Sequence, residues 1–92
     1  MDAFPLEIIT PDAVPFSQSV VFLDVPAARG RLTILAHHEP ILVLLKAGMV
    51  RIKPAEPPTE APLEQKWCIE EGILRVEREK VTLLTTRAQR SN

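Results

Sequence analysis

The sequence has one cysteine, no tyrosine and three glycines in 92 residues, and its 11 Lys and Arg almost balance its 12 Asp and Glu. Each scarcity excludes something. A lone Cys68 has no partner for an internal disulfide, so the chain gains nothing from an oxidising compartment and reads as cytoplasmic. Cys68 itself reads as a small buried hydrophobe. A formal net charge of -1 without a stripe of one sign leaves little to neutralise phosphates, which argues against a nucleic acid partner. Trp67 and three phenylalanines are the whole aromatic complement, too few for a base-stacking platform. Proline or charge interrupts every apolar run below membrane-spanning length, and residues 1–10 lack the pattern of an export signal. Any membrane association is therefore expected to run through a partner.

Catalytic signatures are equally scarce. Neither a P-loop nor a GxGxxG stretch occurs, and Gly30, Gly48 and Gly72 read as isolated turn positions. His37, His38 and Glu39 are consecutive, and on a strand consecutive side chains point to alternate faces, so they do not converge on one metal ion. Pairing Cys68 with one of these histidines as a nucleophile finds no supporting signature around the cysteine. No catalytic residue, cofactor or metal is expected, which leaves association with another macromolecule as the role of the chain.

What is abundant is proline, nine residues in all, together with Val, Ile, Leu and Thr in short runs. Proline inside a helix costs about 3 kcal/mol, so the runs read as strands, at 6–10, 19–25, 31–35, 40–46, 48–53, 63–70, 72–77 and 80–86. Their spacing leaves no room for crossover helices, favouring an all-β, antiparallel β-sandwich or barrel. In 48–53, Val50 and Ile52 alternate with Met49, Arg51 and Lys53; in 72–77, Leu74 and Val76 oppose Arg75 and Glu77. The latter strand and 80–86 make a terminal hairpin. Segment 40–46 breaks the alternation: Ile41, Val43 and Leu45 point one way, Leu42 and Leu44 the other. It is either buried on both sides or carries a patch that a partner covers. Residues 53–62 read as an exposed Pro-rich acidic loop. The domain is expected to span 1–88, with 89–92 a short tail.

The run from Gly30 through Leu42, with His37-His38-Glu39-Pro40-Ile41-Leu42 at its end, and the following Lys46-Ala47-Gly48-Met49-Val50-Arg51-Ile52 resemble the signature of the F-type ATP synthase epsilon subunit. Leu6-Glu7-Ile8-Ile9-Thr10-Pro11 is similar to that family's opening strand. Gly72-Ile73-Leu74-Arg75-Val76 and Lys80-Val81-Thr82-Leu83-Leu84 are similar to its closing hairpin. The resemblance runs in register over residues 6–88 and implies two roughly five-stranded antiparallel sheets packed face to face. It also implies a non-catalytic rotor subunit of the central stalk, coupling the gamma subunit to the membrane c-subunit ring on the cytoplasmic face of a bacterial inner membrane. Carried over position by position, Thr10, His38, Ile41 and Val43 match the gamma-facing part, and Gly30 and Arg31 the part that meets the c ring. Val43→Asp is then expected to weaken docking while sparing the fold.

Several positions depart from the family pattern. Arg31 stands where an acid is usual, Thr33 and His37 where glycines are usual, Ala36 and Ala47 where prolines are usual, and Glu71 replaces a further glycine. Arg31 leads us to expect a compensating acid on the ring loops. The family's two-helix C-terminal hairpin has no counterpart in residues 85–92, so neither an ATP site nor a helical brake is expected. The competing readings are a free-standing β-sandwich adaptor that binds another protein and a small thiol or metal enzyme.

Overall fold

Alternation of apolar and polar side chains decides which face each strand buries. The computed structural model describes residues 2–56 and 63–91 and contains nine strands among them. They are β1 (Phe4–Thr10), β2 (Ala13–Ala27), β3 (Gly30–Ile34), β4 (Ile41–Leu45), β5 (Gly48–Pro54), β6 (Gln65–Ile69), β7 (Gly72–Val76), β8 (Val81–Thr85) and β9 (Ala88–Ser91). In β5, Val50 and Ile52 are sealed from solvent while Arg51 and Lys53 are exposed; in β7, Leu74 and Val76 are buried and Arg75 is exposed. Both follow from the two-residue repeat of a pleated strand.

The strands make two layers that share β2. One layer runs β4-β7-β8-β1 and ends on the first half of β2, which pairs with β1 from Phe4↔Val20 to Thr10↔Ala13. The other runs β3-β2-β5-β6-β9, using the second half of β2. Each layer therefore has five strands, as expected. All pairings are antiparallel except β1 with β8, which are parallel from Leu6↔Val81 to Ile9↔Leu84. These strands lie far apart in sequence, so their connection places no limit on direction.

Between the layers, Leu6, Ile8, Val20, Leu23, Val25, Val50, Ile52, Leu74, Val81 and Leu83 are essentially sealed from solvent. Trp67 packs edge-on to Phe16 with ring centroids 6.1 Å apart, and its Nε1–H donates to Gln65 Oε1 at 3.3 Å. Among the described residues, every buried side-chain polar atom has a hydrogen-bond partner, as a core of low dielectric requires.

Four expectations are corrected here. Of the expected tail at 89–92, residues 89–91 belong to β9, which pairs with β6 from Lys66↔Ser91 to Ile69↔Ala88, and Ala88 packs against the core. Its side chains carry no apolar alternation because the backbone ladder to β6 holds it. The β7–β8 hairpin, closed by Glu77 N–H donating to Lys80 O at 2.9 Å, is accordingly not terminal. Cys68 is exposed, since Gln65, Trp67 and Ile69 take the inward positions of β6 and leave Lys66 and Cys68 outside. Of the expected loop at 53–62, Lys53 and Pro54 belong to β5, and residues 57–62 lie outside the described residues.

Two glycines are required by geometry. Gly30 opens β3 at φ 129°, a region costly for any side chain. A Cβ on Gly72 would stand 2.2 Å from the Leu84 carbonyl oxygen on the neighbouring strand. Gly72→Ala is expected to cost about 2–3 kcal/mol, because backbone and not a movable side chain blocks it, and Gly30→Ala about 1–2 kcal/mol from torsion alone. Urea denaturation of both variants checks the order.

Candidate functional face and turn end

The strand registers line up one apolar row across the outside of the first layer. Leu44 pairs with Ile73, Ile73 with Leu84, and Leu84 with Ile9, and residues paired across a sheet share a face. The next row toward the other end is Leu42, Arg75, Thr82 and Glu7. Leu42 is 69% exposed and Leu44 65%, and Ile73 and Leu84 are also open to solvent. Beside the row, Ile9, Thr10, Pro11, Gly72, Ile73 and Leu84 contribute to a shallow hollow of about 400 Å³. These residues form a contiguous apolar band on the outside of a small domain.

This arrangement excludes one of the two readings of segment 40–46, burial on both sides, because Leu42 and Leu44 are open to solvent. Val43 pairs with Leu74, which faces the core, so Val43 lies on the inner face and packs against the core. Leu45 is buried beside it, while Ile41, on the same face but at the strand's start, is exposed. The outward apolar residues of β4 are Leu42 and Leu44, and the expected patch of Ile41 and Val43 is corrected accordingly. Pairing with β7 decides the parity, and the β4 sequence alone is apolar on both sides.

The other expected contact residues are spread over the molecule. Thr10 ends β1 at the hollow, its Oγ1 donating to Ala13 O at 3.3 Å across the β1–β2 turn. His38 sits at the opposite end of the same layer. Its Nδ1 is 2.7 Å from Leu35 O and its Nε2 3.0 Å from Glu77 O, and its ring meets Phe4 edge-on at 5.2 Å between centroids. His38 thereby ties the β3–β4 connection to the β7–β8 turn. His37 turns instead to Asp2, so the two imidazoles diverge. Ile9, Ile73 and Leu84 were not among the expected contact residues; the signal for them was that each sits beside a core residue where strict alternation would put a polar one.

Gly30 and Arg31 lie at the end of the sandwich that carries the β1–β2, β2–β3, β4–β5, β6–β7 and β8–β9 turns. Arg31 Nε donates to Asp24 Oδ2 at 2.9 Å and Nη2 to Met49 O at 2.7 Å, while Thr33 Oγ1 donates to Asp24 Oδ1 at 3.1 Å. Arg51 stands 4.0 Å from the same carboxylate and is ion-paired with Glu64, which raises the Arg51 pKa through its hydrogen bond and its charge and keeps the guanidinium protonated.

Fold and surface together define a two-layer β-sandwich with one apolar outer face. The family of ATP synthase, Delta/Epsilon chain, beta-sandwich domain matches residues 3–91, and the chain belongs to that family. It is 33% identical over 89 residues to the ATP synthase epsilon chain of Wolbachia pipientis wMel, covering 97% of this chain and 74% of that one. The ATP synthase epsilon chain of Allorhizobium ampelinum is 32% identical over 87 residues, covering 95% of this chain and 61% of the relative. In fold it is similar to a chain of the Euglena gracilis mitochondrial ATP synthase, OSCP/F1/c-ring, with TM-score 0.83 and 18% identity, covering 96% of this chain and 53% of that one. A chain of the Tetrahymena thermophila mitochondrial ATP synthase central stalk and c-ring matches with TM-score 0.77 and 11% identity, covering 96% and 66%.

His37 has φ 63°, the left-handed region where the resembled family usually places glycine. His37→Gly is expected to stabilise the fold by up to about 1 kcal/mol, read as a raised urea midpoint. The hydrogen bond and charge of His37 hold the Asp2 carboxyl below the usual carboxylate range. A depressed folded pKa contributes stability above the ordinary Asp range and loses it as pH falls through the lowered value. The pair is fully exposed, so the expected signature is a low titration midpoint of the Asp2 carboxyl carbon by NMR, moving up in His37→Gly.

Proposed function

We propose that the chain serves as a non-catalytic rotor subunit in the central stalk of an F-type ATP synthase. The observation that carries this reading is the outer-face row of exposed Leu44, Ile73 and Leu84 with half-buried Ile9, on a member of the delta/epsilon family. The gamma subunit covers this face. Thr10 borders the contact and Ile41 flanks it, while His38 and Val43 act from behind by fixing the position of β4. The turn end with Gly30 and Arg31 meets the c-subunit ring. Membrane association runs through the complex, on the cytoplasmic face of a bacterial inner membrane.

The physics of such a role is mechanical. A coupling element must not shear, and a sandwich whose two layers share one strand resists sliding of one sheet over the other. Docking requires about 1,000 Å² of buried surface with an apolar centre and polar rim. Leu42 and Leu44 supply the centre, and Glu7, Thr82 and Arg75 lie on the polar side of it. Burying a leucine side chain completely is worth about 1.5–3 kcal/mol.

Leu44→Asp and Ile73→Asp are expected to keep the fold, both side chains being exposed, and to weaken capture by purified gamma subunit by at least about tenfold, or 1.4 kcal/mol. Val43→Asp, in contrast, is expected to unfold the domain, because its carboxylate would be set against the core. Pull-down with gamma, alongside circular dichroism of each variant, tests this. Wild-type capture of both folded outer-face variants would rule out this face as the docking surface.

A further inference from the structure

Strand β2 contains a proline where its ladder to β5 needs a donor. Asp24 pairs with Arg51, and continuing that antiparallel register by two residues sets Pro26 opposite Met49. Proline has no N–H, so β2 cannot donate to the Met49 carbonyl there, and Pro26 O is taken by Lys46 N–H at 2.9 Å. The missing bond comes from a different strand. Arg31, on β3, reaches across β2 and its Nη2 donates to Met49 O at 2.7 Å.

The same guanidinium is held in place from below. Asp24 is only 6% exposed, and a buried carboxylate without partners is costly. Arg31 gives it two close nitrogens, Nε at 2.9 Å and Nη2 at 2.7 Å, and Thr33 Oγ1 satisfies its other oxygen at 3.1 Å. The planar fork suits this double task, which a lysine ammonium cannot perform with the same geometry.

We infer that Asp24 and Arg31 form a clamp across β3, β2 and β5 that repairs the ladder gap at Pro26 and positions the β2–β3 turn. Arg31 is therefore a positioning residue whose charge is met inside the chain. Arginine at a place where the resembled family has an acid does not present a free cation, and whatever loop meets the turn needs no acid to compensate it. The expectation of a compensating acid on the ring is replaced by Asp24. This consequence for the partner rests on the reading that the turn end faces the ring; the clamp itself does not.

The test uses the intact chain alone, so a failure to bind gamma or the ring leaves its outcome readable. By NMR, the Arg31 Nε–H should exchange with solvent at least tenfold more slowly than that of exposed Arg78, and Asp24→Asn should bring the two rates together. In urea, Asp24→Asn and Arg31→Gln should each raise the unfolding equilibrium constant about tenfold, and the double variant should be no worse than the worse single. Arg31→Lys should fail to restore stability, and it carries the test if Asp24→Asn does not fold. Multiplying effects in the double variant, full rescue by lysine, or Arg31 exchange as fast as that of Arg78 would each overturn the clamp.

Discussion

One strand has to satisfy both sheets at once, and the rest of the molecule depends on its doing so. β2 runs for 15 residues, pairing with β1 in its first half and with β3, β5 and, at Ala27↔Leu45, the end of β4 in its second. Where it passes from one layer to the other its register to β5 shifts between Val20 and Phe22, and Val20 at that point is fully buried. Such a shift lets a strand bend without losing its place in either ladder. The core residues on both sides, Leu6 and Ile8 from one layer and Leu23 and Val25 from the other, meet only because β2 turns there. The described residues enclose one small core.

With the core closed by β2, the outer faces become available for different uses. The first layer is apolar outside along Leu44, Ile73, Leu84 and Ile9. The second is polar there, with Arg51 and Lys53 lying near the Phe22 ring at 5.8 and 4.6 Å from its centroid and the Asp24 network alongside. This asymmetry gives the domain one greasy side and one wet side. A polar outer face is in contact with water at no cost, whereas an apolar one gains free energy when it is covered. Five of the turns gather at one end, where the connections between strands are short.

Much of this was legible along the chain, for specific physical reasons. Val50 with Ile52 and Leu74 with Val76 are separated by charged residues, so their strands and inward faces follow from pleat periodicity. Family membership was legible in the order of blocks around Gly30, Pro40 and Gly72. β9 was not, since Ala-Gln-Arg-Ser has no apolar pattern and owes its conformation to backbone bonds with β6. Cys68 looked like core by residue type, yet Trp67 and Ile69 outcompete it for the inward positions. The outward side of β4 was undecidable in Ile-Leu-Val-Leu-Leu, where every residue is equally able to be buried.

The sequence by itself determined the class of fold and most of the strands, because proline placement, alternation and residue type act locally. Only the tertiary structure decided that Leu42 and Leu44 face outward, that Asp24 meets Arg31, and that Gly72 lies under the Leu84 carbonyl. Those outcomes depend on which strand pairs with which and in what register, and register couples residues far apart in the chain that no local preference connects.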